Sequence, residues 1–164
     1  MPALNDPVKT VDLTMADLMR RSQKQLDELF STCPAGPIPE GESSGTAIVW
    51  PGTFWSGLIA RFVRRVDWQG KVFTRSPDGK DATLQNKIGP ASTQLIVARV
   101  YYTASWLDGK ECIVLDYSKT SLFARKIRDE IREVAPRLYL GKVWWGKTRL
   151  IDFALEFPKK AAVA

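Results

Sequence analysis

Between Thr93 and Phe157 the chain alternates its apolar positions with a period of two, in four successive runs: QLIVARVYYTASW, KECIVLDY, RLYLGKVWW and TRLIDFALEF. Side chains of an extended strand point to opposite faces in turn, so this period marks strands packed into a sheet. The first two runs are joined at Leu107-Asp108-Gly109-Lys110, which reads as a two-residue Asp-Gly turn, and the last two at Gly146-Lys147. Both are short-range hairpin signals. Consecutive hairpins build one predominantly antiparallel sheet, of the kind that curls around its own core. Between the second and third runs the period changes. Leu122, Phe123, Ile127, Ile131 and Val134 recur at helical spacing, with Arg125/Asp129 and Lys126/Glu130 as i, i+4 pairs. That spacing predicts a helix over about 121–135, ended by Pro136.

Upstream, residues 1–12 read as a flexible arm and 13–32 as a helix. Thr14 and Asp17 make an acidic variant of the capping box, and Leu18, Met19, Ser22, Leu26, Leu29 and Phe30 fall on one face. A stripe of that kind must cover something, and the sheet is the surface available. From Cys33 to Gly41, three prolines and two glycines force an extended connector. Gly45 to Trp50 reads as the first strand, and about 53–66 as a second helix with an apolar stripe that begins at Phe54 and Trp55. Lys71 to Arg75 and Asp81 to Ile88 are strands split by a turn at Ser76-Pro77-Asp78-Gly79. The expected fold is mainly β (α+β): a single domain, 1–164, whose barrel or strongly curved sheet spans about 44–157. It carries an N-terminal helix and two helical inserts, and 158–164 form a tail.

Composition narrows the chemistry. The 164 residues suit one domain with a sizeable core, and six Trp, seven Phe and four Tyr suggest a core or pocket built of flat rings. There is no His, which removes the commonest general base, the Ser-His-Asp and Cys-His arrangements, and the usual zinc and haem ligands. Cys33 and Cys112 form neither a CxxC motif nor a disulfide framework, and Cys112 reads as a small core residue. No Gly-rich phosphate loop or carboxylate cluster is present, so no cofactor and no metal are expected. The net charge of +6 is spread along the chain and favours solubility over recognition. Arg61, Arg64 and Arg65 beside Phe54 and Trp55 are read as solvated residues flanking a core stripe, since no nucleic-acid-binding pattern accompanies them. The opening MPALNDPVKTVDL has no cationic segment followed by an apolar one, and no run reaches the roughly 18 apolar residues of a membrane span. The expectation is a soluble, cytoplasmic protein.

The candidate ligand contacts come from the mixed face of the longest run, Arg99, Tyr101 and Thr103, which would orient an apolar ligand if it faced a lumen and would be solvated otherwise. Asp116 stands near them as a partner for Arg99, either as an anchor for a carbonyl or carboxylate or as part of a structural network. Tyr139 and Trp55 complete the set, and Lys142 is a weaker candidate for Schiff-base or proton-transfer work.

The order of helix, strand, helical insert and successive antiparallel strands resembles the calycin group of small ligand-binding barrels, which includes lipocalins and fatty-acid-binding proteins. The resemblance is one of architecture. The lipocalin Gly-x-Trp opening is not reproduced, because Gly45 and Trp50 are five apart. The segment IRDEIREVAPRLYLGKVWW also resembles uncharacterised bacterial proteins. What the resemblance implies is binding of a small apolar or amphipathic molecule in the barrel, as a carrier or sensor. Two other readings stand beside it: a cofactor-independent isomerase, cyclase or lyase using the same cavity, and a protein-protein interaction module.

Overall fold

The computed structural model describes residues 12–49, 71–88, 94–119 and 124–159. The predicted helix over 53–66, Trp55 included, lies outside them. Eight strands follow one another around a closed antiparallel barrel: β1 (Gly41–Ile48), β2 (Lys71–Arg75), β3 (Asp81–Ile88), β4 (Gln94–Ala104), β5 (Glu111–Asp116), β6 (Ile127–Ala135), β7 (Leu138–Trp145) and β8 (Thr148–Glu156). Each strand pairs with its successor, and β1 closes on β8 with Ser44 opposite Glu156 and Ile48 opposite Asp152. Closure leaves no sheet edge to template aggregation. β2 and β3 keep the bounds their alternation predicts, and the turn between them closes through Gly79 N–H donating to the Ser76 carbonyl, with Gly79 at φ +70°. The β4–β5 connection is longer than the expected two residues: Ser105 N–H donates to the Lys110 carbonyl across a loop that contains Gly109 at φ +72°.

The helix expected over 121–135 is not formed. A 3₁₀ turn at Ala124–Lys126 leads into β6, whose side chains alternate between the two faces of the barrel wall. Ile127, Asp129 and Ile131 point inward, and Arg128, Glu130 and Arg132 point outward. The i, i+4 charge pairs that suggested a helix are replaced by long-range ones: Asp129 bonds Lys71, and Glu130 accepts from Arg128 and Ser105. The N-terminal helix is also divided. α1 (Met15–Met19) has the Thr14/Asp17 capping box, but Ser22 and Gln25 make a second box that starts α2 (Gln23–Thr32). Ser22 is therefore a cap, not part of the apolar face, and Met19 is exposed.

The apolar residues form two clusters, one on each side of the wall. Inside lie Phe73, Leu84, Ala98, Val100, Ile113, Leu115, Ile131, Tyr139, Phe153 and Leu155, among others. Gly141 is required here: a Cβ at that position would collide with the Phe153 ring, which crosses the barrel interior. Outside, Leu18, Leu26 and Phe30 dock on Cys112, Leu138, Leu140 and Ala154, as the stripe predicts. The connector after α2 turns under one end of the barrel, where Tyr139 Oη donates to the Pro37 carbonyl, Tyr102 Oη donates to the Gly36 carbonyl, and the Ile38 N–H donates to Tyr102 Oη. Ala35 and Ile38 thereby join the inner cluster and close that end.

Candidate functional site

The mixed face of β4 does not meet a lumen. Ala98 and Val100 are the inward residues, so Arg99, Tyr101 and Thr103 lie on the outer surface, Arg99 exposed and the other two half-buried. Arg99 and Asp116 are opposite in register, and the Arg99 guanidinium lies 5.6 Å from the centre of the Tyr101 ring. Tyr101 Oη donates to Asp116 Oδ2 at 3.1 Å, and the Ser118 N–H donates to Asp116 Oδ1 at 2.8 Å. Burial works to raise the Asp116 carboxyl, but these hydrogen bonds outweigh it and hold the group below its ordinary value. The arrangement is a surface network whose acceptors are already engaged. Tyr139 is separate from it, inside the barrel at the connector end, with its hydroxyl committed to Pro37 and its ionisation pushed up by burial. The structure thus brings together Arg99, Tyr101 and Asp116, and leaves Tyr139 and Thr103 apart from them.

A different polar group stands in the barrel interior, at the end opposite the connector. Lys71 is the first residue of β2, Tyr117 follows the last residue of β5, and Asp129 is the third residue of β6, so all three sit near the rim. Lys71 shares its face with Phe73, Tyr117 with Ile113 and Leu115, and Asp129 with Ile127 and Ile131; this alternation turns the three polar side chains inward. Lys71 Nζ donates to Tyr117 Oη at 3.0 Å and to Asp129 Oδ2 at 3.4 Å, and Tyr117 Oη donates to the same Oδ2 at 3.0 Å. Nζ also lies 5.2 Å from the centre of the Phe153 ring. Lys71, Tyr117 and Asp129 are each buried, at 4%, 5% and 3% exposure. Among the described residues the second carboxylate oxygen of Asp129, Oδ1, has no hydrogen-bond partner.

Electrostatics sharpen the contrast. Burial lowers the Lys71 ammonium from its ordinary value, opposed by the nearby Asp129 charge, and burial raises the Asp129 carboxyl, opposed by Lys71 and Tyr117. Both directions favour the uncharged forms. Desolvating an ion costs several kcal/mol, which the attraction within a buried pair repays only with good geometry and further hydrogen bonds. Lys71, Tyr117 and Asp129 were not singled out in the sequence; the available signal was a polar residue at an inward position of an alternating run. Lys142, which was singled out, lies buried on the outer face between Asp27 and Asp152, at 2.8 Å from each. Among the described residues no group of acidic or cysteine side chains could hold a metal ion, and no helix is long and apolar enough to cross a membrane.

The fold defines the class: a closed eight-stranded antiparallel barrel preceded by short helices. No family model matches the chain, and no curated protein matches it. Among solved structures it is similar to the crystal structure of a protein from Thermomonospora curvata, with a TM-score of 0.53 and 18% identity over 85% of this chain and 89% of that one. At that identity the likeness carries the barrel architecture alone.

Proposed function

We propose that this protein binds a small, mainly apolar molecule in the end of the barrel framed by Lys71, Tyr117 and Asp129, in the manner of the calycin carriers. The observation that carries the reading is an ionic cluster with an unsatisfied carboxylate oxygen, enclosed by an otherwise apolar barrel interior. Buried acceptors are satisfied in the great majority of cases, and an exception calls for a ligand, a water or a chemical role. A ligand hydroxyl or carbonyl would meet a donor at Lys71 or Tyr117 and an acceptor at Asp129, while its apolar body packed against rings such as Phe153. The eight-strand meander closed by β1 on β8 supports placing the chain with the calycins, and the two free cysteines fit a reducing, cytoplasmic setting. Native mass spectrometry of freshly purified protein tests the reading. A co-purifying molecule of defined mass, lost on denaturation, is expected; a protein with no bound species, whose melting temperature no apolar alcohol or ketone raises, would contradict it.

The contact of Lys71, Tyr117 and Asp129 favours a second reading, acid-base chemistry on a bound carbonyl compound, with the Lys71/Asp129 pair moving a proton at the adjacent carbon and Tyr117 steadying the oxygen. Exchange of that hydrogen for deuterium in heavy water, abolished in Asp129→Asn, separates an enzyme from a carrier.

A further inference from the structure

We propose that Lys71 condenses with the carbonyl group of an apolar aldehyde, so that the molecule held at this end of the barrel is carried as a Schiff base. The inference rests on the reading that this end of the barrel is the binding site, and it adds the ligand's chemical class. Three features of the geometry point to it. A primary amine attacks a carbonyl only when uncharged, and Lys71 Nζ is enclosed in the barrel interior, 3.4 Å from Asp129 Oδ2. Tyr117 Oη, 3.0 Å from Nζ and 3.0 Å from Asp129 Oδ2, bridges amine and carboxylate and can pass a proton between them. Asp129 Oδ1, which has no hydrogen-bond partner among the described residues, can pair with the hydroxyl of the intermediate carbinolamine and then with the departing water. The lowering of the Lys71 ammonium by burial acts in the same direction.

The step balances without an oxidant or reductant. The amine lone pair forms the C–N bond as the carbonyl pair moves onto oxygen, which takes the proton that nitrogen releases through Tyr117. The C–O bond then breaks as the hydroxyl takes a proton from the Asp129 carboxyl, water leaves, and the nitrogen lone pair completes the C=N bond. Starting from neutral Lys71 and protonated Asp129, two of the three protons leave with the carbonyl oxygen as water, and one remains on the iminium nitrogen beside the Asp129 carboxylate.

The test uses the full chain, trans-cinnamaldehyde as probe and sodium cyanoborohydride as trap at neutral pH, with intact-mass and peptide mapping. A single adduct on Lys71, heavier than the protein by the aldehyde less one oxygen, is expected. Lys71→Arg keeps the charge and should lose the adduct, and Asp129→Asn should slow trapping about tenfold or more. Labelling confined to exposed lysines, equal in wild type and Lys71→Arg, overturns the inference. Cinnamyl alcohol, which cannot condense, distinguishes the two failures. If it raises the melting temperature while the aldehyde leaves Lys71 unlabelled, the covalent step is wrong and the binding site stands; if neither compound binds, both are wrong.

Discussion

Two buried lysines lie on opposite sides of the same barrel wall, each beside an aspartate, and they are held in different ways. Lys142 points outward beneath α2, bonded to Asp152 on β8 and Asp27 on the helix, with the Phe30 ring 5.5 Å away. Arg149 adds a second cation on Asp27 at 2.8 Å. Close by, Arg132 spends its donors on both oxygens of Asp108 and on the carbonyls of Phe30, Glu111 and Lys110. Lys142, Arg149 and Arg132 thus fasten helix or turn to barrel. Lys71, on the inner side, meets Asp129 at the longer distance of 3.4 Å and a phenol, Tyr117, at 3.0 Å. The same residue types serve as a clamp on the outer side, where the contacts are short and multiply anchored, and on the inner side form the site proposed for a ligand.

The largest expected effect breaks the clamp. Lys142→Met leaves the fully buried Asp152 carboxylate without its close cation and should lower stability by about 3–5 kcal/mol, read from the urea midpoint. The inner pair should respond in the opposite sense. Lys71→Met combined with Asp129→Leu replaces a buried ion pair with apolar volume, and should leave stability unchanged or raise it by about 1–4 kcal/mol. If both changes destabilise alike, the contrast between the two lysines fails. Gly141→Ala is smaller, about 1–3 kcal/mol of overpacking, and Phe153→Leu should relieve much of it in a double-mutant cycle; additive losses would show that the ring does not occupy the space above Gly141.

Titration separates the two sides more finely. The Arg132 hydrogen bonds hold Asp108 below its ordinary 3.8, so the unfolded chain binds more protons there. The stabilisation is present above pH 3.8 and is lost as pH falls through the native value. Asp108→Asn should therefore be less stable than wild type at neutral pH, with the gap closing in acid. Lys71 is displaced below 10.5 by burial, so between its native value and 10.5 the unfolded chain again binds more protons, and its contribution rises with pH across that window. The slope should vanish in Lys71→Met. The smallest effect is chemical: burial pushes the Cys112 thiol up to about 12, and it should resist alkylation until the barrel unfolds.

Most of the barrel was legible because β2, β3, β4, β5, β7 and β8 keep a period-two apolar pattern that only the sheet satisfies. β6 was not. Its run Ile127–Ala135 places Asp129, Glu130 and Arg132 at buried positions, so hydrophobicity marks no face and the residual apolar spacing imitates a helix. The site was hidden for the same reason. Lys71 and Asp129 are 58 residues apart, Lys71 and Tyr117 46 apart, and only the closed register of the barrel brings them together. Arg99 and Tyr101 were prominent because they share one strand face, but neighbouring residues alone do not say which face is inside.

The central claim is that Lys71 and Asp129 are kept for a ligand and not for the fold. Native mass spectrometry of wild type beside the Lys71→Met/Asp129→Leu variant, both first shown to melt cooperatively, tests it most directly. The account predicts a small molecule of defined mass on the wild-type protein and none on a variant at least as stable. A variant that keeps the same bound mass, or one that fails to fold because the inner pair is structural, would contradict it.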